Sequence, residues 1–351
     1  MQTGALPLTL AHGWKKVPPR ATGRRLVWQK DGQWWASDTD FAAPLKLGPV
    51  GPLECPLAVN AARDCAYRYH CADWSDRRDT SEIRSVSLVD GKAETLFRLG
   101  LNKWAIWLCH YLPKRDYLVG LIATEMPRRA DGSVVIQHQL GLFDLNKRRS
   151  LLVALPRDCF YPLDVNLQQE WVLFHGVEGF QVVDFKGRRL WRWGPKGLPE
   201  GRGGMFHPEH SELAALGGGG IVLIDRQGKL QPVHDRGLNP VWHPAGKQLY
   251  FAESSSDLWR WDSETTHTER LLAVAGNRYS EVNRARSPRL TKDGRYAAVT
   301  LTRRVRREAL PESVGPNTGP SWVEWRAICI IDLVEQEVWQ APGGGLVAWV
   351  E

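Results

Sequence analysis

Pro240-Val-Trp-His-Pro-Ala-Gly246-Lys-Gln-Leu-Tyr-Phe-Ala252, followed closely by Leu258-Trp-Arg-Trp-Asp262, is the stretch on which the fold turns. An apolar strand enters a Gly turn, a second apolar strand leaves it, and a third alternating strand ends on Asp. An Asp at that place accepts backbone N–H groups of the following turn and closes a tight hairpin. The apolar residues recur with period 2 and form no helical stripe, so the segment predicts strands.

Working outward, Pro288 to Thr300 repeats the layout with the same Pro-to-Gly spacing, and Phe206 to Leu216 is a copy without the Gly. Pro56 to Asn60 and Pro162 to Asn166 form another matched pair. Strands ending on Asp recur at Asp38, Asp90, Asp144, Asp184, Asp225, Asp262 and Asp332, at intervals of 52, 54, 40, 41, 37 and 70 residues. Four strands in about 40–45 residues is the signature of a propeller blade, which cannot cover both its faces and must stack on neighbours. The reading is an all-β chain: a single seven-bladed β-propeller of four-stranded antiparallel blades, with six or eight as the flanking counts. The first unit lacks an inner strand, while Leu346 to Val350 is a strand without a blade. The C-terminal strand is therefore expected to complete blade one and close the ring, which removes open sheet edges. Residues 1–20 read as an N-terminal extension and 21–351 as the propeller.

The Pro240–Ala252 run with Leu258–Asp262, and Pro288–Thr300 beside it, resembles the WD40-like repeat of TolB-type propellers. The resemblance covers two of the seven units closely and the rest in layout. It implies the propeller fold and carries no particular activity.

Composition agrees with this picture. Seventeen Trp outnumber 9 Phe and 8 Tyr, and large flat side chains suit the wedge between twisted blades. Gly and Pro total 55 of 351 residues, about 16% and too few for a disordered chain. No apolar run is long enough for a membrane-spanning helix, so no membrane insertion is expected. Met1 to Leu10 has no basic flank ahead of it, and the six Cys contain no C-x-x-C pair. Both features point to buried thiols in a reducing, cytoplasmic setting.

If strands a to d run from the axis outward, connections b–c and d–a share one face of the disc. Chain length accumulates in three b–c connections, near 72–82, 124–134 and 301–325. All three carry paired arginines: Arg77/Arg78, Arg128/Arg129, and Arg303/Arg304 with Arg306/Arg307, with Trp74 and Trp322 among them. Long loops on a rigid scaffold are where binding concentrates. These ten residues are the candidate binding set, and a net charge of +7 favours a protein partner with an acidic surface. Two observations oppose a nucleic-acid stripe: acids such as Asp73, Asp76, Glu125 and Glu308 dilute the loops, and Arg148/Arg149 and Arg188/Arg189 fall at c–d turns on the other face. Solvated arginines that keep a Trp-rich surface soluble are the plainer account of the same pairs.

Catalytic motifs are missing: there is no H-E-x-x-H, G-x-S-x-G or phosphate-binding Gly loop. His207 and His210 are the nearest approach to a metal pair, yet Pro208 and one carboxylate make a poor ligand set. His243 is the repeat-equivalent of His207, which favours a turn-holding role. Asn60, Asp164, Asn166 and Arg289 fall on or beside inner strands and are scattered in sequence. The expectation is a non-catalytic scaffold or adaptor, a class that includes toxin-neutralising immunity proteins, with no cofactor. A hydrolase or lyase with an axial site, and a nucleic-acid platform, stand as alternatives.

Overall fold

The computed structural model describes residues 5–50, 58–70, 80–100, 103–126, 135–156, 158–176, 179–194, 203–210, 214–275, 287–306, 322–343 and 347–351. The chain begins with β1 (Leu8–Leu10) and β2 (Lys15–Lys16), then β3 (Arg25–Lys30), β4 (Gln33–Asp38) and β5 (Leu45–Pro49). Next come β6 (Ala58–Asn60), β7 (Cys65–His70), β8 (Glu82–Ser87) and β9 (Ala93–Arg98), then β10 (Lys103–Leu112), β11 (Tyr117–Met126), β12 (Val135–Asp144) and β13 (Arg149–Ala154). They are followed by β14 (Cys159–Asn166), β15 (Trp171–Gly176), β16 (Gly179–Asp184), β17 (Arg189–Trp193), β18 (Gly203–Phe206), β19 (Ala214–Gly217), β20 (Ile221–Ile224) and β21 (Leu230–His234). The last are β22 (Leu238–Trp242), β23 (Gln248–Ala252), β24 (Asp257–Asp262), β25 (Thr268–Val274), β26 (Arg289–Leu290), β27 (Tyr296–Arg306), β28 (Trp322–Asp332), β29 (Glu337–Pro342) and β30 (Val347–Trp349).

These strands form seven sheets, each with a consecutive meander at its heart. Blade 1 has the order β30-β3-β4-β5, so the C-terminal strand is its innermost member and closes the ring, with Leu26 opposite Trp349 and Trp28 opposite Val347. Blades 2 to 5 are β6–β9, β10–β13, β14–β17 and β18–β21. Blades 6 and 7 each gain a fifth, outermost strand from the N-terminal segment: β1 lies antiparallel on β25, and β2 parallel on β29.

The repeated Asp does what its chemistry predicts. Asp144 Oδ1 accepts the N–H groups of Asn146 and Lys147, Asp262 those of Glu264 and Thr265, and Asp332 those of Val334 and Glu335. The a–b turns of blades 5, 6 and 7 interlock. His207 Nε2 donates to the Gly246 carbonyl of the next blade at 3.0 Å, and His243 Nε2 to that of Gly294 at 3.2 Å. Both glycines have positive φ, +72° and +73°, and a Cβ on either would intrude on the histidine ring. That double demand explains why both turns carry glycine.

Apolar clusters sit between adjacent blades. Leu26, Trp28, Val347 and Trp349 of blade 1 pack with Ile328, Ile330 and Trp339 of blade 7. Tryptophan N–H groups also cross seams: Trp193 donates to Asp225 O, and Trp339 to Thr39 O. Cys65, Cys159 and Cys329 are buried thiols, and burial pushes those of Cys159 and Cys329 up to about 12. Among the described residues no helix is long and apolar enough to cross a membrane.

Candidate functional site

The seven inner strands surround an axial space. Two cavities lie there, of about 850 and 570 Å³, and both are lined by Leu163, Asp164, Leu167, Arg289, Leu290 and Lys292. The larger adds Asn60, His110, Trp349 and Glu351 and reaches the a–b turns at Ala61, Ala62 and Pro113. Three of the four scattered inner-strand candidates, Asn60, Asp164 and Arg289, thus meet in one space. Asn166, which lines the smaller cavity, caps its own turn by accepting the N–H groups of Gln168 and Gln169.

Three ionisable groups around the axis, Asp164, His110 and Arg289, are shifted by burial. Asp164 Oδ2 accepts the Phe206 N–H of the next blade at 2.8 Å, yet burial pushes its carboxyl up to about 6. Burial, with Arg289 nearby, holds His110 down at about 4, so its imidazole is neutral at pH 7. Burial also lowers Arg289, partly offset by the field of Asp164. No signal could have singled out His110, which stands in the apolar run from Trp104 to Leu112.

The opposite end of the axis carries the b–c connections. Trp74, Arg77, Arg78, Arg128, Arg129 and Arg307 lie outside the described residues. Arg303, Arg304, Arg306 and Trp322 fall on the hairpin of β27 and β28. Pairing of β28 with β29 ends at Ala327, but five further pairs, from Thr302 with Arg326 to Arg306 with Trp322, continue β27 and β28 alone. At about 3.4 Å per residue this is an arm of about 17 Å. Arg303 lies over the Trp325 ring, 5.7 Å from its centroid, and the Thr302 N–H donates to Ser255 O of blade 6 at 2.9 Å. Trp325 and Arg326 escaped sequence reasoning because only the cross-strand register brings them beside the arginines. The arginines at the c–d turns are differently placed: Arg148 pairs with Glu94 at 2.8 Å and Arg188 with Asp184 at 2.7 Å.

His207 is fully engaged. Its Nε2 donates across the blade seam, and its Nδ1 accepts the N–H groups of Glu209 and His210 at 3.1 and 3.0 Å. The pair His207/His210 therefore builds the turn, and among the described residues no group of three or more potential ligands could hold a metal ion.

No family model matches the chain, and no curated protein does. Among solved structures, it is similar to TolB from Acinetobacter baumannii at 11% identity and a TM-score of 0.46, covering 95% of this chain and 68% of that one. It is similar to an oligogalacturonate lyase in complex with manganese at 12% identity and a TM-score of 0.55, covering 86% and 95%. A dihydro-heme d1 dehydrogenase, NirN, in complex with DHE is similar at 14% identity and a TM-score of 0.57, covering 98% and 80%. At such identities the likeness is one of fold. From its strand order, its ring closure and the last two likenesses, the chain is a seven-bladed β-propeller.

Proposed function

We propose that the protein is a non-catalytic binding platform that engages a protein partner with an acidic surface through its b–c/d–a face. The observation that supports this reading is the β27–β28 arm, five residue pairs beyond the rest of its blade and carrying Arg303, Arg304 and Arg306. A two-stranded ribbon is marginal by itself in water, and a guanidinium suits bidentate recognition of a carboxylate. Arg77, Arg78, Arg128, Arg129, Arg307, Trp74 and Trp322 belong to the same topological face and extend the reading to it. Adaptors, assembly scaffolds and toxin-neutralising immunity proteins are the functions within this reading.

The test is affinity purification of the tagged protein from its own host, then reconstitution with the captured partner. Replacing Arg303, Arg304, Arg306 and Arg307 by Ala is expected to weaken that complex at least tenfold, about 1.4 kcal/mol or more, without unfolding the protein. Affinity should also fall as salt rises. Equal affinity of variant and wild type removes the arm from the function.

A further inference from the structure

Arg289 lines both axial cavities, and among the described residues no side chain pairs with its guanidinium. We propose that the axial space is a binding site for a small organic carboxylate, its anion on the Arg289 guanidinium and its apolar body against Leu163, Leu290 and Trp349. This site is reached from the a–b turns, so it is independent of the arm on the other face.

Three observations carry the assignment. A guanidinium offers five N–H donors in a fixed fork, and among the described residues that of Arg289 makes neither a hydrogen bond nor an ion pair, while its backbone carbonyl accepts from the Trp349 indole at 2.8 Å. The residue is half-buried at the wall of the axial space, and a carboxylate can meet two guanidinium donors in parallel. The charge count sets the ligand's charge. His110 is neutral, Asp164 already shares the field of Arg289, and Glu351 at the rim is taken by the Lys292 N–H and by Arg24 at 3.1 Å. With Lys292 as a second cation on both cavities against Asp164, one added negative charge is matched, whereas a dianion would not be. Finally, about 850 and 570 Å³ lie in the range of small-molecule sites, whose walls are mainly apolar with a few fixed polar groups.

The experiment is isothermal titration calorimetry of the full chain at pH 7 with benzoate, hexanoate and 1-naphthoate, set against benzamide and inorganic phosphate. At least one carboxylate is expected to bind, benzamide to bind at least tenfold more weakly than benzoate, and Arg289→Met to lose the carboxylate at least tenfold while keeping the far-UV circular dichroism of the wild type. Arg289→Lys, which keeps charge but not the fork, should lie between the two and supplies the readout if Arg289→Met does not fold. Four results each overturn the assignment: no heat from any carboxylate up to about 20 mM, equal binding of benzamide and benzoate, tighter binding of phosphate than of every carboxylate, or unchanged affinity in the folded Arg289 variants.

Discussion

The ring is fastened twice, and the two fastenings differ in kind. On the inside, β30 completes blade 1 with buried Val347 and Trp349. Its end is tied across the seam: Trp349 donates to Arg289 O, and Glu351 accepts from the Lys292 N–H and from Arg24. On the outside, the N-terminal segment runs over blades 6 and 7 and is held largely through its backbone. Ala275 N–H donates to Pro7 O, Ala11 N–H to Leu271 O, and Val17 N–H to Val338 O. Gln340 adds a two-pronged clasp, accepting the Leu6 N–H at 2.8 Å and donating to Leu6 O at 3.0 Å. The inner fastening contributes core; the outer one seals sheet edges that would otherwise offer unpaired strands to another chain. Among the described residues of the outer segment, Leu6 and Trp14 are the buried apolar anchors.

The contrast can be broken by substitution. Trp349→Ala should destabilise the protein most, by about 3–5 kcal/mol, because it opens a cavity in the blade 7–blade 1 cluster and orphans a carbonyl. Equilibrium urea denaturation measures it, and a loss below about 1 kcal/mol would mean that the inner strand adds little beyond its backbone pairing. Leu6→Ala should cost less, about 2–3 kcal/mol, since the outer segment has a solvent side along which it can settle. If it costs as much as Trp349→Ala, the two fastenings are energetically alike. Gln340→Ala should be the mildest, about 1–2 kcal/mol for its two hydrogen bonds. Its clearer effect is expected in hydrogen exchange, with faster exchange at the amides of Leu6 and Ala275 and none at β30.

Acidity probes the axis, which the inner fastening encloses. A carboxyl raised to about 6 in the folded protein stabilises it fully below its ordinary value near 3.9, and that contribution is lost as pH rises through about 6. Asp164→Asn should therefore gain stability relative to wild type between about pH 4 and 7. A constant difference across that window would place Asp164 in an ordinary solvated setting.

Much of the architecture could be read in advance because its signals are local. The Asp that ends a third strand, the Gly of an a–b turn and the alternation around them all act within a few residues, and the structure has them in those roles. β1 and β2, with three and two residues, are too short to show any period, so the outer fastening left no trace in the pattern. The axial group was legible only as separate residues. Asn60, Asp164 and Arg289 belong to three different blades, and nothing short of the closed ring brings them to one place. His207 and His243 were recognised as equivalents, but their partners, the Gly246 and Gly294 carbonyls, lie 39 and 51 residues away.

The pairing of Trp28 with Val347 joins positions 319 residues apart, and this has a consequence for how the molecule is made. A ribosome adding about 5–20 residues per second leaves the inner edge of β3 waiting roughly 15–60 s for its partner. Throughout that interval blade 1 is an unfinished sheet in a crowded cell, able to take a strand from another nascent copy. Late arrival of one short strand makes the yield of folded protein depend on how fast the chain is translated, and slowing translation between β3 and β30 should lower it.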